Sequence, residues 1–228
     1  MVYKDIEQGT HEWLMLRLKM VTGTSLDDVM GTDYARISLI CRMIAEELTE
    51  QAKAFKSTAT MERGTGEEIF AIKRYETKYN TTVDRVAFCV SDEFSFLGCS
   101  PDGLIADPFG VYIGGAEVKS PDTETSVFYQ LSNQVDLGLA KSYTPFCGIP
   151  YKYKWQVLNY FIVCDTIEWV DFIVYDERII DEDYKLYVKR INRNDPVVQM
   201  AITEAKIALA KFALEYQQYR KLFIKTDF

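Results

Sequence analysis

At 228 residues, 48% of them apolar, the chain can bury one substantial core, and no stretch approaches the roughly 20 apolar residues of a membrane span. Acidic residues outnumber basic ones by 34 to 26, and the net charge of −8 counts against a protein that coats nucleic acid with Lys and Arg. Five scattered cysteines, without the close pairs of zinc or iron–sulfur ligation, predict reduced thiols in a cytoplasmic protein.

Hydrophobic periodicity predicts helices over residues 12–19, 25–30, 38–51 and 60–79. Short β-rich runs follow at 82–90, 94–100 and 111–119, separated by the turns Ser91-Asp92-Glu93, Asp102-Gly103 and Asp107-Pro108. A helix is expected over 125–137, and Pro150 suits the first turn of another reaching Val163. Two further strands are expected at 168–175 and 184–191. Asn194-Asp195-Pro196 then opens a long helix whose apolar face is Ile202, Leu209, Phe212, Tyr216, Tyr219 and Phe223. No linker, repeat or low-complexity tract divides the chain, so one domain over 1–228 is expected, an α/β fold with a central mixed sheet flanked by helices.

The most specific pattern is Ser100-Pro101-Asp102-Gly103 followed, one strand later, by Glu117-Val118-Lys119. Alternation along a strand puts Glu117 and Lys119 on one face and Val118 in the core. If Asp102 reaches the same volume, two carboxylates can hold Mg²⁺ beside an ammonium, the equipment of phosphodiester hydrolysis. The competing reading is a hairpin turn and a surface ion pair. On the preceding helix, Glu68 shares a stripe with Met61, Gly64, Ile72 and Tyr75, while Glu67 lies with Arg63 and Arg74. An inward carboxylate implies a metal or a buried salt bridge.

Tyr153 and Gln156 share a helical face and suit a phosphate or a metal-associated water, or else ordinary packing. The turn Thr22-Gly23-Thr24-Ser25 suits an anion at a helix start, although Ser25 with Asp28 also reads as a capping box. His11 is expected at the start of the first helix near Trp13. Among Tyr151, Tyr153, Trp155 and Tyr160, base stacking and core packing both fit, with packing favoured.

Six motifs in register give the chain a wider likeness: Trp13 with Leu16-Arg17-Leu18, Val21-Thr22-Gly23-Thr24, Gly64 with Glu68, Ser100–Gly103, Glu117–Lys119, and Tyr153 with Gln156. From Glu7 to about Tyr175 the sequence resembles the lambda-exonuclease-like viral recombinase branch of the PD-(D/E)XK nucleases. The resemblance implies a restriction-endonuclease-like core and a 5′ to 3′ exonuclease that hydrolyses one strand of linear double-stranded DNA. It implies Asp102, Glu117 and the Val118 carbonyl as metal ligands, with Glu68 at a second ion or at the nucleophilic water, and two Mg²⁺, replaceable by Mn²⁺. Lys119 is then catalytic, with Tyr153 and Gln156 completing the site. Arg17 and a hydroxyl, Thr24 or Ser25, are implied at the 5′-phosphate. The resemblance further implies a homotrimer acting on duplex ends beside a single-strand annealing recombinase, encoded by a phage or prophage and working in the bacterial cytoplasm. Leu158 departs from the pattern, where many relatives have a second glutamine. A PD-(D/E)XK endonuclease and a non-catalytic DNA-binding protein are the alternatives.

Overall fold

A computed structural model describes residues 1–52, 59–139 and 144–224, apart from the side chains of 59–62 and 65. The expected place of Met61 on its stripe therefore lies outside the described residues. The first third is helical: α1 (His11–Leu16), α2 (Gly23–Met30), α3 (Asp33–Thr49) and α4 (Ala59–Tyr79). The starts follow from side-chain caps, since the Thr10 hydroxyl accepts from Trp13 N–H and that of Thr32 from Ala35 N–H. α1 begins at His11, where a helix start was expected.

Two sheets replace the single expected one. A small antiparallel sheet joins β1 (Val2–Tyr3), β2 (Phe88–Val90) and β3 (Gly98–Cys99), in that order. The main sheet has the order β4 (Gly103–Ala106), β5 (Tyr112–Lys119), β6 (Trp169–Tyr175), β7 (Leu186–Asn192), with β5 and β6 parallel and both outer pairs antiparallel. Residues 103–106, of which Gly103 was predicted as turn and the rest left unassigned, form a strand because Gly103 starts a ladder with Ala116 at once. The run expected at 82–90 is a strand only at its end. The crossover between the parallel strands carries α5 (Thr123–Ser132) and α6 (Lys154–Val163), as parallel pairing requires.

α5 stops five residues before its predicted end, at the Asn133 cap. Pro150 precedes a separate 3₁₀ turn, Tyr151–Tyr153, rather than the first turn of α6. α7 (Glu182–Lys185) takes the start of what was predicted as strand. α8 (Pro196–Arg220) is capped by Asp195 and ends before Phe223.

The sheet is packed on both faces. Ala71, Ile72 and Tyr75 of α4 lie against Ala116, Val118 and Ile173, while α6 covers the other face. From Trp155 to Val163 α6 is buried except at Gln156, because α2 and α8 enclose the side turned away from the sheet. No helix among the described residues is long and apolar enough to cross a membrane.

Candidate active site

β5 aims its last residues at the site. Val118 is buried toward α4, and Glu117 and Lys119 project from the opposite face, where the Lys119 Nζ donates to Glu117 Oε1 at 2.6 Å. Asp102, in the turn between β3 and β4, reaches the same place because its Oδ2 accepts from Val118 N–H at 2.7 Å. The hydroxyl of Tyr160 on α6 ties the two together: it lies 2.8 Å from Glu117 Oε2 and from the Ala116 carbonyl, and 3.1 Å from the Asp102 N–H that donates to it. Gly115 makes room for this contact, as a Cβ there would come within 2.6 Å of the Tyr160 ring.

These charges act on one another. Burial and then the charge of Glu117 push the Asp102 carboxyl well above the usual carboxylate range. Burial opposes the charge on Lys119, yet Glu117 and Asp102 outweigh it and raise its ammonium above the ordinary lysine value. Lys119 is thus held protonated. Glu68 is raised too, chiefly by burial, with Arg85 pulling the other way; its Oε1 accepts from Arg85 at 3.2 Å. Glu67 faces Arg63 at 3.6 Å as expected, whereas Arg74 bonds the Glu182 carbonyl.

No three His, Cys, Asp or Glu side chains converge into a ready metal cage among the described residues. Asp102 and Glu117 still fit Mg²⁺, which characteristically takes one or two carboxylates and keeps waters and substrate oxygens as its other ligands. Their mutual repulsion is itself a demand for positive charge.

Next to Glu117 lies a pocket lined by Arg17, Thr22, Gly23, Thr24, Ser100, Gln156 and Tyr160, among others. Arg17 stacks over Trp13 at 4.2 Å and donates to Ser100 Oγ at 3.2 Å, and it forms no ion pair among the described residues. Burial lowers its pKa. A half-buried guanidinium without a carboxylate is equipped for an anion. Gly23 lets α2 approach α6, its would-be Cβ lying 3.2 Å from the Gln156 Cα, and the Gln156 amide makes no hydrogen bond among the described residues.

Thr24 lines this pocket and Ser25 does not. The Ser25 hydroxyl accepts from Thr22 N–H at 2.8 Å, so the cap on α2 pairs Ser25 with Thr22 and not with Asp28. The Tyr153 ring lies 5.3 Å from the Lys119 ammonium, while Gln156 lines the pocket beside Glu117. Sequence reasoning placed Tyr160 with the packing aromatics; its spacing of four from Gln156 was the available signal.

The profile of the YqaJ-like viral recombinase domain matches residues 12–166. The structure is similar to an alkaline exonuclease from Laribacter hongkongensis, at 26% identity over 93% of this chain and 95% of that one, with a TM-score of 0.75. The same exonuclease in complex with dAMP matches at 27% identity, 93% and 97% coverage and a TM-score of 0.71. A phage-related exonuclease from Haemophilus somnus 129PT shares the fold at 18% identity, with 90% and 96% coverage and a TM-score of 0.56. No curated protein sequence matches significantly.

Proposed function

From the premise that this chain belongs to the YqaJ-like viral recombinase family, we propose that it is a metal-dependent 5′ to 3′ exonuclease of the PD-(D/E)XK kind, acting on linear double-stranded DNA. The observation that carries the reading is the adjacency of two sites: the Asp102–Glu117–Lys119 cluster and the Arg17 pocket, which share Glu117 and Tyr160. A terminal 5′-phosphate on Arg17, Thr24, Ser100 and Gln156 sets the next phosphodiester beside Lys119. The dAMP in the similar L. hongkongensis structure supports a mononucleotide product.

Asp102 and Glu117, with the Val118 carbonyl, would hold a divalent cation, and Glu68 a second. Mg²⁺ or Mn²⁺ supplies phosphate polarisation and charge neutralisation when bound. The remaining tasks belong to the chain. Tyr160 holds the Glu117 carboxylate and the Asp102 backbone in one geometry, so little reorganisation remains for the reaction. Lys119, kept protonated, orients the attacking water and balances charge on the phosphate. Tyr153 packs beneath its ammonium. The family's viral-recombinase character supports a role in recombination; a single-strand annealing partner, a homotrimer and work in a bacterial host belong to the proposal through the family resemblance alone.

Digestion of linear 5′-phosphorylated, linear 5′-hydroxyl and closed circular duplex, each with Mg²⁺ and with EDTA, tests the reading. Metal-dependent loss of linear DNA, fastest with the 5′-phosphate, is expected. Cutting of the circle would replace it with an endonuclease, and no cutting at all with a binding protein.

A further inference from the structure

A strip of rings and ammonium groups continues from the carboxylate cluster. From that pocket the order of contacts is Glu117, Lys119 at 2.6 Å, the Tyr153 ring at 5.3 Å from Lys119, and then Lys152, whose ammonium lies 4.9 Å from the same ring. Lys152 is itself exposed. Next to it the exposed Tyr151 ring is braced from behind by Lys154, a buried lysine whose ammonium lies 5.3 Å from Tyr151, 5.1 Å from Phe146 and 4.2 Å from Trp155.

In a chain of net charge −8, many cations are spent on carboxylates: Lys4, Lys185, Lys206 and Lys211 all form ion pairs. Lys152 and Lys154 form none among the described residues. A fixed ammonium next to an open aromatic ring is the pairing that tracks a nucleic-acid strand, cation to phosphate and ring to base or sugar.

We propose that Tyr151 and Lys152 form a DNA subsite beyond the scissile bond, with Lys152 on a backbone phosphate of the DNA still to be digested and Tyr151 stacked beside it. This rests on the nuclease reading above. With the 5′-phosphate held at Arg17 and the bond to be cut at Lys119, the next phosphate along the strand meets Lys152. The subsite grips DNA without entering the chemistry, so it acts on affinity and processive hold.

The test is binding of a fluorescein-labelled, 5′-phosphorylated linear duplex in EDTA, measured by anisotropy across a salt series, together with steady-state kinetics in Mg²⁺. Lys152→Ala is expected to weaken binding severalfold and to reduce the slope of log K against log[salt] by about 0.9, one phosphate contact. KM should rise with kcat kept, and Lys152→Arg should restore the slope. An affinity and slope equal to wild type in Lys152→Ala would overturn the subsite while leaving the nuclease reading intact. Failure of the wild-type protein to bind DNA would overturn both. Circular dichroism of each variant excludes misfolding as the cause.

Discussion

Lys119 and Arg17 are both cations in the cleft, but their surroundings differ, and the proposed tasks differ with them. Lys119 is bound to a carboxylate and kept protonated, whereas Arg17 has a ring behind it and a hydroxyl in front. Lys119→Met should lower kcat by about 10²–10³, as loss of one charge-stabilising group does, while leaving duplex affinity in EDTA nearly unchanged. Wild-type turnover would remove Lys119 from the mechanism. Arg17→Ala should instead erase the preference for 5′-phosphorylated over 5′-hydroxyl ends, a loss of about 1.5–3 kcal/mol for a charged hydrogen bond. An unchanged preference would place the 5′-phosphate elsewhere. The raised pKa of Asp102 also has a consequence for the metal-free protein. The folded state keeps this proton to a higher pH than the unfolded chain, so the contribution is full on the acid side and is lost as pH rises above the ordinary carboxylate value of 3.8. Asp102→Asn keeps an acceptor for Val118 N–H and removes the charge, so in EDTA at neutral pH its Tm should exceed that of wild type. A lower Tm would mean that the charge is not a burden. Glu117 and Lys119 were legible in the sequence through strand alternation and Glu68 through helical spacing, whereas Arg17 was reached only through the family resemblance. The sequence left Thr24 and Ser25 as alternatives because a hydroxyl next to a helix start serves a cap or a ligand equally well until its partner is seen.

At the scale of elements, the site is a contact between the end of β5 and one face of α6. Gly115 controls the distance. A Cβ at this position meets the Tyr160 ring at 2.6 Å, so Gly115→Ala forces the helix away and should cost about 1–3 kcal/mol, the usual penalty of overpacking. Because the Tyr160 hydroxyl moves with the ring, kcat should fall as well. Tyr160→Phe separates the effects, since it removes the hydroxyl bridge to Glu117 and Asp102 without enlarging anything. Urea midpoints and kcat for the two variants check this; an unaltered kcat in both would limit Tyr160 to packing. Tyr160 was missed from sequence because a tyrosine in an almost wholly buried helix reads as packing. Its hydroxyl finds Glu117 only across two elements 43 residues apart in the chain.

Across the whole molecule, the last helix is tied back to the first third through Glu47, which receives hydrogen bonds from Arg220 and Tyr216. The bond from Arg220 holds the Glu47 carboxyl below its ordinary value of 4.5. A depressed carboxylate stabilises the fold above that value and ceases to do so as pH falls through its lower folded-state value. Glu47→Gln should therefore melt earlier than wild type at neutral pH and converge with it in acid, and parallel curves would contradict the assignment. The sequence by itself determined the succession of the longer helices and strands, the mixed α/β class, the family likeness and the inventory of charged residues, because all of these are encoded in local periodicity and short motifs. It left open where strands end, that Gly103–Ala106 joins the sheet, and that a second, small sheet exists, since edge pairing depends on a partner remote in the chain. Only the tertiary structure decided that Thr24 and not Ser25 lines the pocket, that Tyr153 meets the Lys119 ammonium while Gln156 lines the Arg17 pocket, and that Tyr160 joins the Glu117 carboxylate to the Asp102 backbone. Each of these is a relation between side chains on different elements, and the spacing along one element carries no information about the distance between two.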